Sequence, residues 1–132
     1  MPECPFCEIA AGKPSTVMLA GSPHSVAFYD RYPVNEGHAL VVPRRHVADL
    51  FDLGPQERSD AWELVNTVRI ELLGRFGPDG FNIGVNTSPA AGQTVAHAHI
   101  HVIPRYHGDV EDPRGGIRWV VPGKAPYWIG AE

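Results

Sequence analysis

Three histidines stand two residues apart at His97, His99 and His101, separated by Ala98 and Ile100. In an extended strand alternate side chains share a face, so the rings would follow one another at intervals of about 6.6 Å, twice the rise per residue. The polar face of a half-exposed strand can collect histidines without purpose, but two chemistries use such a row. Three neutral imidazoles can hold a catalytic metal with one position left open for water. Alternatively, one imidazole attacks phosphorus and forms a covalent intermediate, which divides one hard displacement into two easier ones. The preceding loop favours the second. Gly92, Gln93 and Thr94 offer backbone N–H groups, a carboxamide and a hydroxyl, the neutral donors that suit phosphate oxygens where Lys and Arg are sparse.

The only two cysteines, Cys4 and Cys7, have C-x-x-C spacing. In a reducing compartment that spacing suggests a metal clip or a redox pair before a structural disulfide. A cytoplasmic location is the expectation, since no run approaches the roughly 20 apolar residues of a membrane span and the first residues lack the basic-then-apolar layout of a secretory signal. The formal net charge of -4 gives no broad attraction for a nucleic-acid polymer. Any phosphate must therefore be gripped locally.

At 132 residues the chain fits one domain around one core. Val17 to Gly21, Ser25 to Tyr29 and His38 to Val42 read as short strands punctuated by Pro23 and Pro43. From Pro55 to Phe76, Ala61, Val65, Val68, Leu72 and Phe76 recur at helical spacing, and Gly77-Pro78 ends the run. Gly80 to Asn86 and Ala96 to Ile103 read as two further strands. Strands, one long helix and strands again predict an α+β domain with an antiparallel sheet, because parallel pairing would need a crossover helix between successive strands. The proline- and glycine-rich tail carries Trp119, Tyr127 and Trp128 and is expected to lie extended on a surface.

The segment GQTVAHAHIHVIP resembles the histidine-triad motif, His-φ-His-φ-His-φ-φ with φ apolar, of the HIT superfamily of nucleotide hydrolases and transferases. Ala98, Ile100, Val102 and Ile103 fill the apolar places. The resemblance runs upstream through FYDRYPVNEGHALVVPRRH and CPFCEIAAGKPS and forward through PRYHGDV. It implies a single HIT domain over 1–132, with a core to about residue 110 and a C-terminal extension beyond. The implied fold is an antiparallel sheet of about five strands with one long helix and a short N-terminal helix.

By the same resemblance His99 is the nucleophile at the α-phosphorus, with its Nδ1 expected to donate to a backbone carbonyl. His101 and His38 line the phosphate site, and Gln93 approaches the phosphate or leaving oxygen. Asn86, Thr94 and Gly92 attend the phosphate, Asp30 the ribose hydroxyls, and Phe6, Ile9 and Phe28 the base. Cys4, Cys7, His46 and His97 form a closed structural zinc set, so no catalytic metal is required. The implied substrate is a purine dinucleoside polyphosphate such as diadenosine tetraphosphate. A nucleoside phosphoramidate, and transfer of the nucleotidyl group to an acceptor other than water, are the alternatives. A homodimer paired through the long helix and an adjacent strand is also implied, with the Trp-bearing tail reaching across the dimer or over the site. Two other classes stay open: a nucleotide-binding regulator with weak turnover, and a hydrolase using His97, His99 and His101 as metal ligands.

Overall fold

The alternating apolar segments form one five-stranded antiparallel sheet in the computed structural model, which describes residues 4–12 and 17–130. Residues 13–15 of the N-terminal motif stretch, like the ends of the expected domain, lie outside the described residues. In chain order the elements are α1 (Pro5–Ala10), β1 (Met18–Gly21), β2 (Ser25–Tyr29), β3 (Ala39–Pro43), α2 (Pro55–Phe76), β4 (Gly80–Val85) and β5 (Ile100–Arg105). The strand order is β1-β2-β3-β5-β4, so α2 carries the chain to the far edge and β5 returns to fill the gap beside β3.

Local chemistry sets the ends of α2. Pro55 occupies the first turn, where a missing N–H costs nothing. Glu57 accepts from the Gly54 N–H at 3.1 Å, and Gly77 closes the helix at φ 56°, a conformation suited to glycine. Its buried stripe is Ala61, Leu64, Val65, Val68 and Leu72; Leu64 belongs to it although the sequence spacing did not single it out. Asp60 ties the helix to the β1–β2 turn by accepting from Ser22 Oγ at 2.6 Å and from the His24 N–H at 3.1 Å.

Register divides the sheet into two faces. Ala27, Ala39, Val41, Ile100 and Val102 pack with the α2 stripe. On the other face Phe28 pairs with Leu40, Leu40 with His101, and His101 with Gly84. There Val26, Phe28, Leu40 and Val42 pack with Phe6 and Ile9 of α1. The tail covers the β4 side of this same face, with Ile117 Cδ1 3.5 Å from where a Cβ on Gly84 would stand. It contains two 3₁₀ turns, Gly116–Val120 and Pro122–Lys124. The Trp119 indole N–H donates to the Arg114 carbonyl at 2.8 Å, and the Arg114 guanidinium lies 4.5 Å from the Trp128 ring centre.

One strand differs from expectation. The sequence predicts extended pairing over Ala96–Ile103, but β5 begins at Ile100 and runs to Arg105. The Ala98 N–H donates to the Val47 carbonyl at 2.7 Å, so the loop after β3 holds this stretch outside the ladder. Pro104 is tolerated because pairing with β3 ends at Ala39–Val102.

Candidate active site

Because His97 and His99 precede β5, the three rings do not serve one site as a single row on a strand. His97 joins Cys4, Cys7 and His46 in a cluster whose ligand atoms all lie within 4.8 Å of one another. His99 and His101, with ring centroids 5.1 Å apart, face a cavity of about 580 Å³ with His38. The fold thus separates His97 from the pair that faces the cavity.

Backbone groups fix the proton positions. A carbonyl only accepts, so the 2.8 Å contact between His99 Nδ1 and the His97 carbonyl places the proton on Nδ1 and leaves Nε2 with its lone pair. The same reasoning puts the His97 proton on Nε2, 2.7 Å from the Pro43 carbonyl, and leaves its Nδ1 bare toward the cysteines. At His38 the sense reverses: the Val34 N–H donates to Nδ1 at 3.1 Å, so the proton sits on Nε2. That Nε2 lies 3.0 Å from His101 Nδ1 and 3.4 Å from Asp30 Oδ2. His101 Nδ1 therefore accepts, and its own N–H is on Nε2. A bare nucleophilic nitrogen on His99 thus stands beside an N–H donor on His101.

Asp30, His38 and His101 also bring three ligand-type atoms together. With Val34 donating to Nδ1, however, His38 Nε2 carries a proton and offers no lone pair to a cation. The trio is a hydrogen-bond chain.

Burial disfavours the charged form of His38 and His101. It pushes His38 down from its ordinary value, partly opposed by the Asp30 carboxylate. His101 is pushed down to about 4, first by burial and then by the neighbouring imidazoles. Between its ordinary 6.5 and about 4, the unfolded chain binds a proton at this position that the folded chain refuses. Stability is complete above that window and is lost as the pH falls through it. Melting curves from pH 7 to 4 are expected to fall less steeply for His101→Asn than for the wild type; parallel slopes would contradict this assignment.

The remaining cavity wall assembles most of the residues singled out in the sequence. Phe6, Ile9 and Phe28 form its apolar side, and Asp30, Asn86, Gly92 and Thr94 its polar side. Phe6 packs against Phe28 with ring centroids 5.6 Å apart and edge-on to His99 at 5.1 Å. Asp30 Oδ1 is held by the Tyr32 N–H at 2.9 Å. Gly92 adopts φ 96° after a 3₁₀ turn, and a Cβ there would meet nothing within 4 Å, so its backbone angle explains the glycine. Arg31, which the sequence reading did not single out, is the one Lys or Arg among the described lining residues.

Gln93 stands apart. Its carboxamide oxygen accepts from the Ser88 N–H at 2.9 Å, and its NH₂ donates to the Ala48 and Val95 carbonyls at 2.8 and 3.0 Å. Both ends are thus engaged in bracing the loop, which the sequence reading did not anticipate. Ser88, at φ 76° and ψ 156°, occupies a region almost reserved for glycine, and the Gln93 clamp helps hold it there. Gln93→Ala is expected to lower stability by about 1 kcal/mol, because the hydrogen bonds that brace the loop are lost. Denaturant titration checks this; unchanged stability with a fall in kcat alone would point to direct phosphate contact.

The cysteine cluster fits a tetrahedral zinc ion. Usual bond lengths imply S···N separations of about 3.6 Å and N···N of about 3.3 Å around such an ion. His97 Nδ1 is 3.5 Å from Cys4 Sγ, 3.4 Å from Cys7 Sγ and 3.2 Å from His46 Nδ1, while Cys7 Sγ is 3.1 Å from His46 Nδ1. The Pro43 carbonyl orients His97 from outside the cluster by accepting its Nε2–H, as a hydrogen-bond acceptor behind a metal-binding imidazole commonly does.

A sheet with His38, His99 and His101 around a cavity of about 580 Å³ on one face, and α2 on the other, has the architecture of the histidine-triad class. The chain belongs to the HIT family, whose HIT domain model matches residues 12–108. It is 41% identical over 113 residues to an uncharacterised HIT-like protein of Methanocaldococcus jannaschii, covering 82% of this chain and 83% of that protein. It is 37% identical over 116 residues to the adenosine 5'-monophosphoramidase of Schizosaccharomyces pombe, covering 88% of this chain and 82% of that one. The crystal structure of a zinc-bound histidine triad family protein from Mycobacterium smegmatis superposes with a TM-score of 0.74 at 29% identity, covering 98% of this chain and 97% of that chain.

Proposed function

We propose that this chain hydrolyses nucleotide derivatives at the α-phosphorus through a nucleotidyl intermediate on His99. The observation that carries this reading is the tautomer pair: a lone pair on His99 Nε2, enforced by the His97 carbonyl, beside an N–H on His101, enforced through His38 by the Val34 N–H. The lone pair forms a nitrogen–phosphorus bond as the leaving group departs with the electrons of its own bond to phosphorus, a departing amine taking a proton from solvent. The ring becomes an imidazolium whose Nδ1–H still points at the His97 carbonyl. His101 Nε2–H, Thr94 and Asn86 face the non-bridging oxygens, where charge is greatest. Water then attacks phosphorus, its proton goes to solvent, and a nucleoside monophosphate leaves with His99 restored.

Asp30 takes the ribose hydroxyls, and Phe6, Ile9 and Phe28 enclose a purine. Zinc held by Cys4, Cys7, His46 and His97 braces the fold, and with four protein ligands it offers no open position to substrate. Two leaving groups suit the site. Arg31 supplies a cation for a phosphate beyond the first, which supports a dinucleoside polyphosphate such as diadenosine tetraphosphate. The likeness to a named phosphoramidase supports an amine. Product analysis with diadenosine tetraphosphate and with adenosine 5'-phosphoramidate tests the reading: adenosine monophosphate is expected from at least one. Tight binding without turnover of either would favour a regulator.

A homodimer completes the proposal. β4 is an edge strand, and Trp62, Ile70 and Leu73 lie 42%, 56% and 40% exposed on α2. Such an edge and apolar stripe suit a two-fold partner. Reduced thiols at the metal cluster suit a cytoplasmic setting.

A further inference from the structure

We infer that the Cys4–Cys7–His46–His97 cluster is a positioning device for the nucleotide site, so that metal and nucleotide each tighten the binding of the other. The inference rests on the nucleotide reading above and adds to it a thermodynamic coupling. Three separate routes lead from the cluster to the cavity.

The first is α1. Cys4 is its N-cap and Cys7 lies within it, while Phe6 and Ile9 project from the same six residues into the cavity. A helix this short does not hold itself together in water, so its place depends on what anchors it. Its anchors are the apolar packing of Phe6 and Ile9 and the two sulfurs facing His46 and His97. Fixing the sulfurs fixes the wall against which a base would lie.

The second route is His97 itself. Its ring Nδ1 belongs to the cluster, and its carbonyl accepts the proton that sets the His99 tautomer. Rotation of the 97 backbone would disturb both. The third route runs through residues 46–48: His46 is in the cluster, the Val47 carbonyl holds the Ala98 N–H at 2.7 Å, and the Ala48 carbonyl holds Gln93 in the phosphate loop at 2.8 Å. Base wall, nucleophile and phosphate loop thus each have a connection to one of the four ligands. A ligand that tightens all three must raise the affinity of the cluster for its ion by the same factor, since coupling is reciprocal.

The test measures the zinc affinity of the intact, zinc-loaded chain by competition with a chromophoric chelator, with and without saturating adenosine monophosphate. Nucleotide binding itself is measured separately by calorimetry. The nucleotide is expected to raise zinc affinity about tenfold, within the usual range of allosteric coupling. In Phe6→Ala, which keeps all four ligands, that gain should shrink to about twofold or less. Nucleotide binding with unchanged zinc affinity would overturn the coupling while leaving the proposed function standing. Absence of nucleotide binding in the calorimeter would overturn both. An undiminished tenfold gain in Phe6→Ala would contradict transmission through α1.

Discussion

Replacing His99 with alanine is expected to reduce kcat by roughly 10⁴- to 10⁶-fold, the scale seen when a covalent nucleophile is removed. The size follows from the site's construction. His99 is the ring whose bare nitrogen faces the cavity, while His38 and His101 present protons, and His97 is turned to the metal cluster. Neither His38 nor His101 can present a bare nitrogen to the cavity without undoing the hydrogen-bond chain that starts at the Val34 N–H, and the bare nitrogen of His97 faces the cysteines. His101→Ala removes a donor and not the bond-forming atom, so its loss should be nearer 10²- to 10³-fold. Zinc content of His99→Ala should stay close to wild type, since its ring lies outside the Cys4–Cys7–His46–His97 cluster. Steady-state kinetics and metal analysis on the same preparation check all three statements. A variant retaining a tenth of the activity would rule His99 out as nucleophile.

Loss of the metal is expected to have the largest effect on stability. The cluster joins residues 93, 90, 51 and 39 positions apart in the chain, linking α1, the loop after β3 and the segment before β5. An ion bound only by the folded state stabilises it by about 4 kcal/mol when free metal is a thousand times its Kd. For a chain of this size, that amounts to a fall in Tm of about 10–15 °C on removal. Chelated protein and Cys7→Ser should both show it in calorimetry, and added zinc should restore the former but not the latter. A Tm unchanged by chelation, with loss of metal verified, would exclude the bracing role.

Much of this was legible in the residues because it depends on periodicity and punctuation. Pro55, the apolar recurrence to Leu72 and Gly77-Pro78 delimit α2 without tertiary information. The triplet, Gly92 and Thr94, and the cysteine pair mark the two centres. What could not be read depends on backbone groups distant in sequence. No side-chain pattern reveals that the Val34 N–H sets the His38 tautomer, or that the Pro43 carbonyl turns His97 toward the cysteines. The expectation of one strand through all three histidines failed for the same reason: the Val47 carbonyl takes the Ala98 N–H that a ladder would have used. Gln93 has the donors a phosphate needs, and only the positions of Ser88, Ala48 and Val95 reveal that they are already engaged.

The central claim, a bond between His99 Nε2 and phosphorus, is tested most directly by trapping it. Wild-type protein mixed with diadenosine tetraphosphate or adenosine 5'-phosphoramidate would be quenched within one turnover at high pH, where a phosphorus–nitrogen bond survives, and its intact mass measured. The predicted result is a transient gain equal to one adenylyl group, mapped to the peptide containing His99 and missing from His99→Ala. Release of adenosine monophosphate from either substrate at the normal rate, with no such species at any time in the turnover, would contradict it.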